Sequence, residues 1–285
     1  MLMTSVEPSP RALFVGGFDP SGAAGVLADI KTAQEFCVYG ASATTAVTVQ
    51  NRFGVSEVMP VPASVVGAQL DACFADAPVD VVKTGMLVSG DVIRALTARL
   101  DVWGSRTRLI VDPVLRSTTG RSFLDDDGKD ALVKQLLPRA ALVTPNLLEA
   151  EELTHQVAHN EDSMSLLGDH FLALGVQAVL IKGGHLLERD PSSDEVVDIL
   201  RTLDGEEYRF RRPRLIPPGA RGTGCTLAAA IASGLAEGLT LRTAVENARD
   251  FVQHALERSG LTQPVGALCH AALRMQPPAP AKPRR

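Results

Sequence analysis

The chain lacks a Cys-x-x-Cys pair, an apolar run of membrane length and any excess of basic charge. Its four cysteines, Cys37, Cys73, Cys225 and Cys269, stand far apart. That spacing argues against a disulfide scaffold or a zinc site and suits a reducing compartment. The longest apolar stretch, 225–236, is Ala-rich and interrupted by Ser233, well short of the ~20 residues a bilayer needs. Glu7, Pro8 and Pro10 come early and the apolar run 12–15 is short, so the N-terminus does not read as a signal peptide. The expected location is the cytoplasm, with no membrane partner. A formal net charge of -5 and a pI near 5.7, with basic residues scattered, argue against a nucleic-acid partner. No Gly-Lys-Ser/Thr occurs, so there is no Walker A loop, and no Gly-x-Gly-x-x-Gly dinucleotide fingerprint fits.

What is present is an ordinary globular composition, 45% hydrophobic and 21% charged over 285 residues, enough for one large α/β domain. Residues 1–10 and 276–285 read as flexible tails around a single domain, 11–275. Short apolar runs at 13–16, 43–49, 79–83, 109–112, 141–144 and 179–182 predict strands. Amphipathic stretches at 25–36, 64–74, 91–100, 129–137, 147–153, 163–174, 224–237 and 241–258 predict helices. Near-continuous apolar strands alternating with helices imply a mostly parallel sheet covered on both faces. Residues 196–210, turning at Asp204-Gly205, predict an edge hairpin. In such sheets ligands bind beyond the carboxyl ends of the strands.

The chemistry-bearing residues stand at those ends. Arg221-Gly222-Thr223-Gly224-Cys225 leads directly into an apolar helix. Two glycines let the backbone approach a ligand, and the free amides of the helix's first turn can hold an anion. There Cys225 is expected to have a lowered pKa, from the helix N-terminus and Arg221, and could accept a proton; a glycine-rich helix start with an inert thiol is the alternative. Thr144-Pro145-Asn146 with Glu149 could hold hydrated Mg²⁺ or simply form an N-cap and its capping-box partner. Lys182-Gly183-Gly184-His185 offers a cation beside a flexible turn, and Asp112-Pro113 adds a carboxylate. The loop Gly16–Gly25 and the strand ends Val49-Gln50-Asn51 and Lys83-Thr84-Gly85-Met86-Leu87 read as substrate-side walls or as plain turns. Glu151, Glu152, His155 and His159 have helical metal spacing but read as solvated surface.

In this order, Asp19-Pro20-Ser21-Gly22-Ala23-Ala24-Gly25 with Asp29 and Lys31-Thr32, and the motifs above, resemble the ribokinase-like superfamily, specifically the hydroxymethylpyrimidine/phosphomethylpyrimidine kinases of thiamine biosynthesis. The likeness covers roughly residues 11–260. It implies a three-layer α/β fold, usually homodimeric, that uses ATP and Mg²⁺. The acceptor would be 4-amino-5-hydroxymethyl-2-methylpyrimidine and then its monophosphate. Carried onto this sequence, Gln50, Gly17, Asp19, Ala24, Asp29 and Met86 would line the pyrimidine pocket. Cys225 would be the proton acceptor, with Gly222, Thr223 and Gly224 forming the anion hole behind Arg221. Lys182, Asn146, Asp112 and Thr223 would meet ATP, and Glu149 with Asn146 the Mg²⁺ through water. Two positions depart from the family: Phe18 replaces a small hydroxyl residue and Arg221 the more usual His. The competing readings are a pyridoxal or pyridoxine kinase and a non-catalytic pyrimidine-binding module. A sugar kinase lacks its expected aspartate at position 225.

Overall fold

The computed structural model describes residues 9–271 apart from 105, 117–119, 190–192, 216–220 and 260–266. Most of the N-terminal tail and all of the C-terminal one expected from sequence lie outside the described residues. The strands are β1 (Arg11–Phe18), β2 (Tyr39–Asn51), β3 (Gly54–Pro60), β4 (Val81–Thr84), β5 (Arg108–Val111), β6 (Leu142–Val143), β7 (Ala178–Ile181), β8 (Glu195–Thr202) and β9 (Glu207–Pro213). They form one sheet in the order β3-β2-β1-β4-β5-β6-β7-β8-β9. The run from β2 to β7 is parallel, while β3, β8 and β9 join antiparallel. The hairpin at the edge is β8–β9. Strand β3 was not anticipated from sequence: it is exposed or half-exposed throughout and ends on Pro60, so it carries no apolar alternation.

The helices are α1 (Gly25–Glu35), α2 (Ala63–Asp76), α3 (Gly90–Trp103), α4 (Asp126–Ala131), α5 (Leu147–Thr154), α6 (Glu161–Ala173), α7 (Thr223–Ala236) and α8 (Leu241–Glu257). Where one helix is expected over 129–137, α4 gives way to a π turn, Leu132–Leu136, and a 3-10 turn carrying Pro138. A proline lacks the N–H that an α-helix would use there. Among the described residues no helix is long and apolar enough to cross a membrane.

Strand periodicity builds the layers. In β1, Leu13 and Val15 join a core with residues of α2, α3, α5 and α6. Ala12 and Phe14 join a second core with residues of α1, α7 and α8. The same alternation sends Val82 of β4 into the first core and Val81 into the second. Lys83 therefore shares a face with Val81, toward α1 and α7.

Candidate active site

The strand ends, the turns that follow them and the start of α7 enclose one cleft of about 750 Å³. Its lining includes Gly17, Asp19, Ala24, Asp29, Gln50 and Met86 from the β1, β2 and β4 side. Asp112, Asn146, Glu149 and Lys182 line the β5, β6 and β7 side, and Arg221, Gly222, Thr223, Gly224 and Cys225 lie between. The residues that the resemblance assigns to the pyrimidine pocket, the glycine turn, ATP and Mg²⁺ thus meet in one cavity. Strand ends reach it because parallel strands deliver all their carboxyl ends to one side of the sheet.

The loop after β1 is organised by the buried Asp19. Its Oδ1 accepts from the Ser21 N–H at 2.9 Å and its Oδ2 from the Ala24 N–H at 3.1 Å. The Gln50 side chain donates through Nε2 to Asp19 Oδ2 at 3.3 Å, and its Oε1 accepts from Thr48 Oγ1 at 3.1 Å. These partners set which end of the amide is which. Phe18 does not line the cleft; it packs against the core around α1 and α7.

Beneath this loop, Lys83 Nζ donates to both carboxylate oxygens of Asp29, at 3.1 and 3.0 Å, with both side chains about 1% exposed. Burial pushes the Asp29 carboxyl up to about 6, partly opposed by Lys83. Burial also works against the Lys83 ammonium, but Asp29, Cys225 and Asp112 together raise its pKa. Sequence reasoning placed Lys83 in a wall motif without a role. Its partner lies 54 residues away, and no local signal joins them.

Across the cleft Lys182 Nζ donates to Asp112 Oδ1 at 2.9 Å, which also accepts from Thr144 Oγ1 at 3.1 Å. Burial alone would raise the Asp112 carboxyl; Lys182, Lys83 and these hydrogen bonds outweigh it and lower its pKa. Lys182 opens not a loose turn but a 3-10 turn, whose Gly183 N–H donates to Asp198 Oδ1 at 2.9 Å. Asn146 and Glu149 form the capping box: Glu149 N–H donates to Asn146 Oδ1 at 2.9 Å, and Asn146 N–H to Glu149 Oε2 at 2.8 Å. Glu149 is buried, which pushes its carboxyl up to about 7, Lys182 opposing and Asp112 adding.

Gly222 caps α7 in the left-handed region, φ 80°, and a Cβ there would overlap the Ala23 carbonyl oxygen. Only glycine can bring the start of α7 against the Asp19 loop. Gly224 faces Lys182, whose Nζ would lie 3.1 Å from a Cβ at that position. The lowered thiol pKa expected at Cys225 is not found. Burial pushes it up to about 11; Lys83 pulls down, while Asp112 and Asp29 push it further up. Arg221 turns instead to the Asn51 carbonyl oxygen and to Asp19 Oδ2, 3.6 Å away.

Sequence reasoning also missed the far wall, where Val196, Asp198, Arg212, Arg249, Val252 and Leu256 join the lining. Arg249 Nε donates to Asp198 Oδ2 at 2.8 Å, tying α8 to β8. His155 and His159 lie exposed outside the cleft.

A family model described as phosphomethylpyrimidine kinase matches residues 19–267. The hydroxymethylpyrimidine/phosphomethylpyrimidine kinase of Bacillus subtilis is 38% identical over 266 residues, 93% of this chain and 96% of that one. The thiamine biosynthesis bifunctional protein ThiED of Geobacter sulfurreducens is 43% identical over 269 residues, 93% of this chain but 53% of that longer protein. Among solved structures, an ADP complex of Bacillus subtilis pyridoxal kinase superposes with a TM-score of 0.82 at 32% identity, covering 94% of this chain and 99% of that one.

Proposed function

The chain belongs to the phosphomethylpyrimidine kinase family, and from that premise we propose that it transfers the ATP γ-phosphoryl to the hydroxymethyl of 4-amino-5-hydroxymethyl-2-methylpyrimidine, then to the resulting monophosphate. It is a kinase with a mostly parallel α/β sheet, and its relatives are named for thiamine biosynthesis. The observation that carries the reading is the meeting of an amide-bearing wall, Gln50 and Asp19, and a cationic wall, Lys182, at one glycine turn ending in Cys225.

Gln50 uses one N–H on Asp19 and one lone pair on Thr48. A second N–H and a second lone pair remain for the edge of an aminopyrimidine. Lys182 keeps 15% of its side chain exposed, so it can exchange Asp112 for a nucleotide phosphate. The ADP bound to the pyridoxal kinase relative supports nucleotide use in the same fold. The amides from Gly222 to Gly224 then stabilise the transferring group. Cys225 accepts the acceptor hydroxyl's proton as its thiolate, with Lys83 as the nearby cation favouring that form. Phosphoryl transfer is loose and needs little early deprotonation, so a thiolate that is only the minor form, its pKa pushed up to about 11, can take the proton late in the transfer.

The donors fit a hydrated Mg²⁺ carried by the nucleotide. Among the described residues no three His, Cys, Asp or Glu side chains converge to cage a metal. Glu149 spends one carboxylate oxygen on the capping box, and its raised pKa beside Asp112 is what a neighbouring cation would relieve. Glu149 and Asn146 would hold the ion through water, and it would neutralise phosphate charge.

Homodimerisation is supported by an exposed apolar strip where Val47 pairs with Met59 across β2 and β3, beside exposed Val49 and Phe53. Among the described residues the four cysteines form no disulfide, which suits the cytoplasm. The second reading, phosphorylation of pyridoxal or pyridoxine, is favoured by the likeness to the pyridoxal kinase. Steady-state kinetics with ATP against the pyrimidine alcohol, its monophosphate and pyridoxine decide between them. The expected order of kcat/KM puts pyridoxine last; pyridoxine first would reverse the assignment.

A further inference from the structure

Arg221 and Thr226, the residues on either side of the glycine turn and Cys225, are both tied to one short segment beyond α8, residues 267–271. Ala267 pairs with Arg221 as a parallel bridge. The Cys269 N–H donates to the Ala255 carbonyl of α8 at 3.3 Å, and Leu268 and Cys269 are buried. His270, also buried, places Nε2 3.1 Å from Thr226 Oγ1, and Thr226 is fully buried. Neither side chain lines the cleft.

The protonation of this contact follows from its surroundings. Burial and then the Lys31 ammonium hold the His270 pKa down to about 4, so the ring is neutral near pH 7. Its hydrogen bond to the Leu268 backbone takes the ring N–H, leaving Nε2 to accept from the Thr226 hydroxyl. Lys31 meanwhile donates to the Gly22 carbonyl at 2.9 Å in the Asp19 loop.

We propose that His270 is a positioning residue for phosphoryl transfer, acting through Thr226 to hold the first turn of α7, and with it the Gly222–Cys225 backbone, at the depth the transferring group requires. Thr226 N–H already donates to the Gly222 carbonyl at 2.9 Å. Without the His270–Thr226 contact the first turn of α7 loses its tie to the segment beyond α8 and is free to shift. A misplacement of about 1 Å at a reacting centre costs on the order of 10²-fold in rate.

The inference rests on the reading of this turn as the phosphoryl site, and the test separates the two. Kinetics with ATP and the pyrimidine alcohol are measured for the wild type, His270→Ala, His270→Gln, Thr226→Val and the double variant H270A/T226V, with pyrimidine Kd by calorimetry. We expect His270→Ala to lower kcat about 10- to 100-fold while pyrimidine Kd stays within about twofold. His270→Gln, whose amide oxygen can accept from Thr226, should recover most of the rate. Thr226→Val should match the alanine variant, and the double variant should be no slower than either. Folded His270→Ala at wild-type kcat overturns the proposal, as does a loss that is additive with Thr226→Val and unrescued by glutamine. If His270→Ala does not fold, Thr226→Val at wild-type kcat overturns it instead. A wild-type protein that phosphorylates no pyrimidine sinks the functional reading itself, apart from this contact.

Discussion

Lys83 and Lys182 stand at strand ends and each pairs with a buried carboxylate, Asp29 on α1 and Asp112 after β5, yet the two pairs differ in how far water reaches them. The first is sealed, with about 1% of each side chain exposed. In the second, Lys182 is 15% exposed and Asp112 about 2%. In the sealed pair burial overcomes the partner and the Asp29 pKa rises; in the open one the partners overcome burial and the Asp112 pKa falls. The difference assigns them different work. On the proposed function, the nearly unexposed ammonium of Lys83 would serve as a fixed charge under the Asp19 loop, whereas that of Lys182, at the cleft surface, could trade its carboxylate for a phosphate.

The largest effect that would test this contrast is on stability. Lys83→Met leaves Asp29 buried and unpaired, and should cost about 3–5 kcal/mol in urea unfolding. A loss as small as that of an exposed pair would mean the sealed site admits water. Next, Lys182→Met should lower kcat with ATP by about 10²–10³-fold, the cost of removing one transition-state donor. Its unfolding midpoint should move less than that of Lys83→Met. Equal stability losses would erase the distinction between the two walls.

A third effect concerns pH. Glu149 is pushed from 4.5 to about 7 in the folded chain, so folding takes up a proton at this site. Its contribution is fully present below pH 4.5 and is lost as pH rises through about 7. Glu149→Gln, which keeps an acceptor for the Asn146 N–H, should flatten the decline in unfolding free energy across that window. An unchanged slope would place the source elsewhere. The smallest effect is at the helix start: Asn146→Ala should cost about 1 kcal/mol as a lost N-cap. A much larger fall in ATP turnover than this predicts would give Asn146 a role beyond capping.

Much of this arrangement is legible along the chain. The buried parallel strands are near-continuous apolar runs, so their ends, and the residues just after them, can be placed without coordinates. The capping box is equally local, because Asn146 and Glu149 stand one helical turn apart. What escapes is non-local. Strand β3 is recognisable only by its pairing with β2. Lys83 reads as a strand-end cation until Asp29 is seen against it. His270 sits 44 residues from Thr226, in a stretch with no periodicity to mark it.

Cys225 shows where local argument fails outright. A helix N-terminus and an adjacent arginine predict an acidified thiol, but Arg221 faces Asp19 and Asn51, and burial with two carboxylates raises the pKa to about 11. Phe18, a departure in the sequence, packs against the core and does not line the cleft. By itself the order of residues determined the fold class, the strand ends and the strand-end side chains of the cleft, though not its far wall from β8, β9 and α8, because hydrophobic period and turn chemistry are local properties. Only the tertiary structure decided which charges pair, which of them water reaches and how each is protonated. Desolvation and Coulomb terms depend on everything packed around a group, and most of that packing comes from residues distant in the chain.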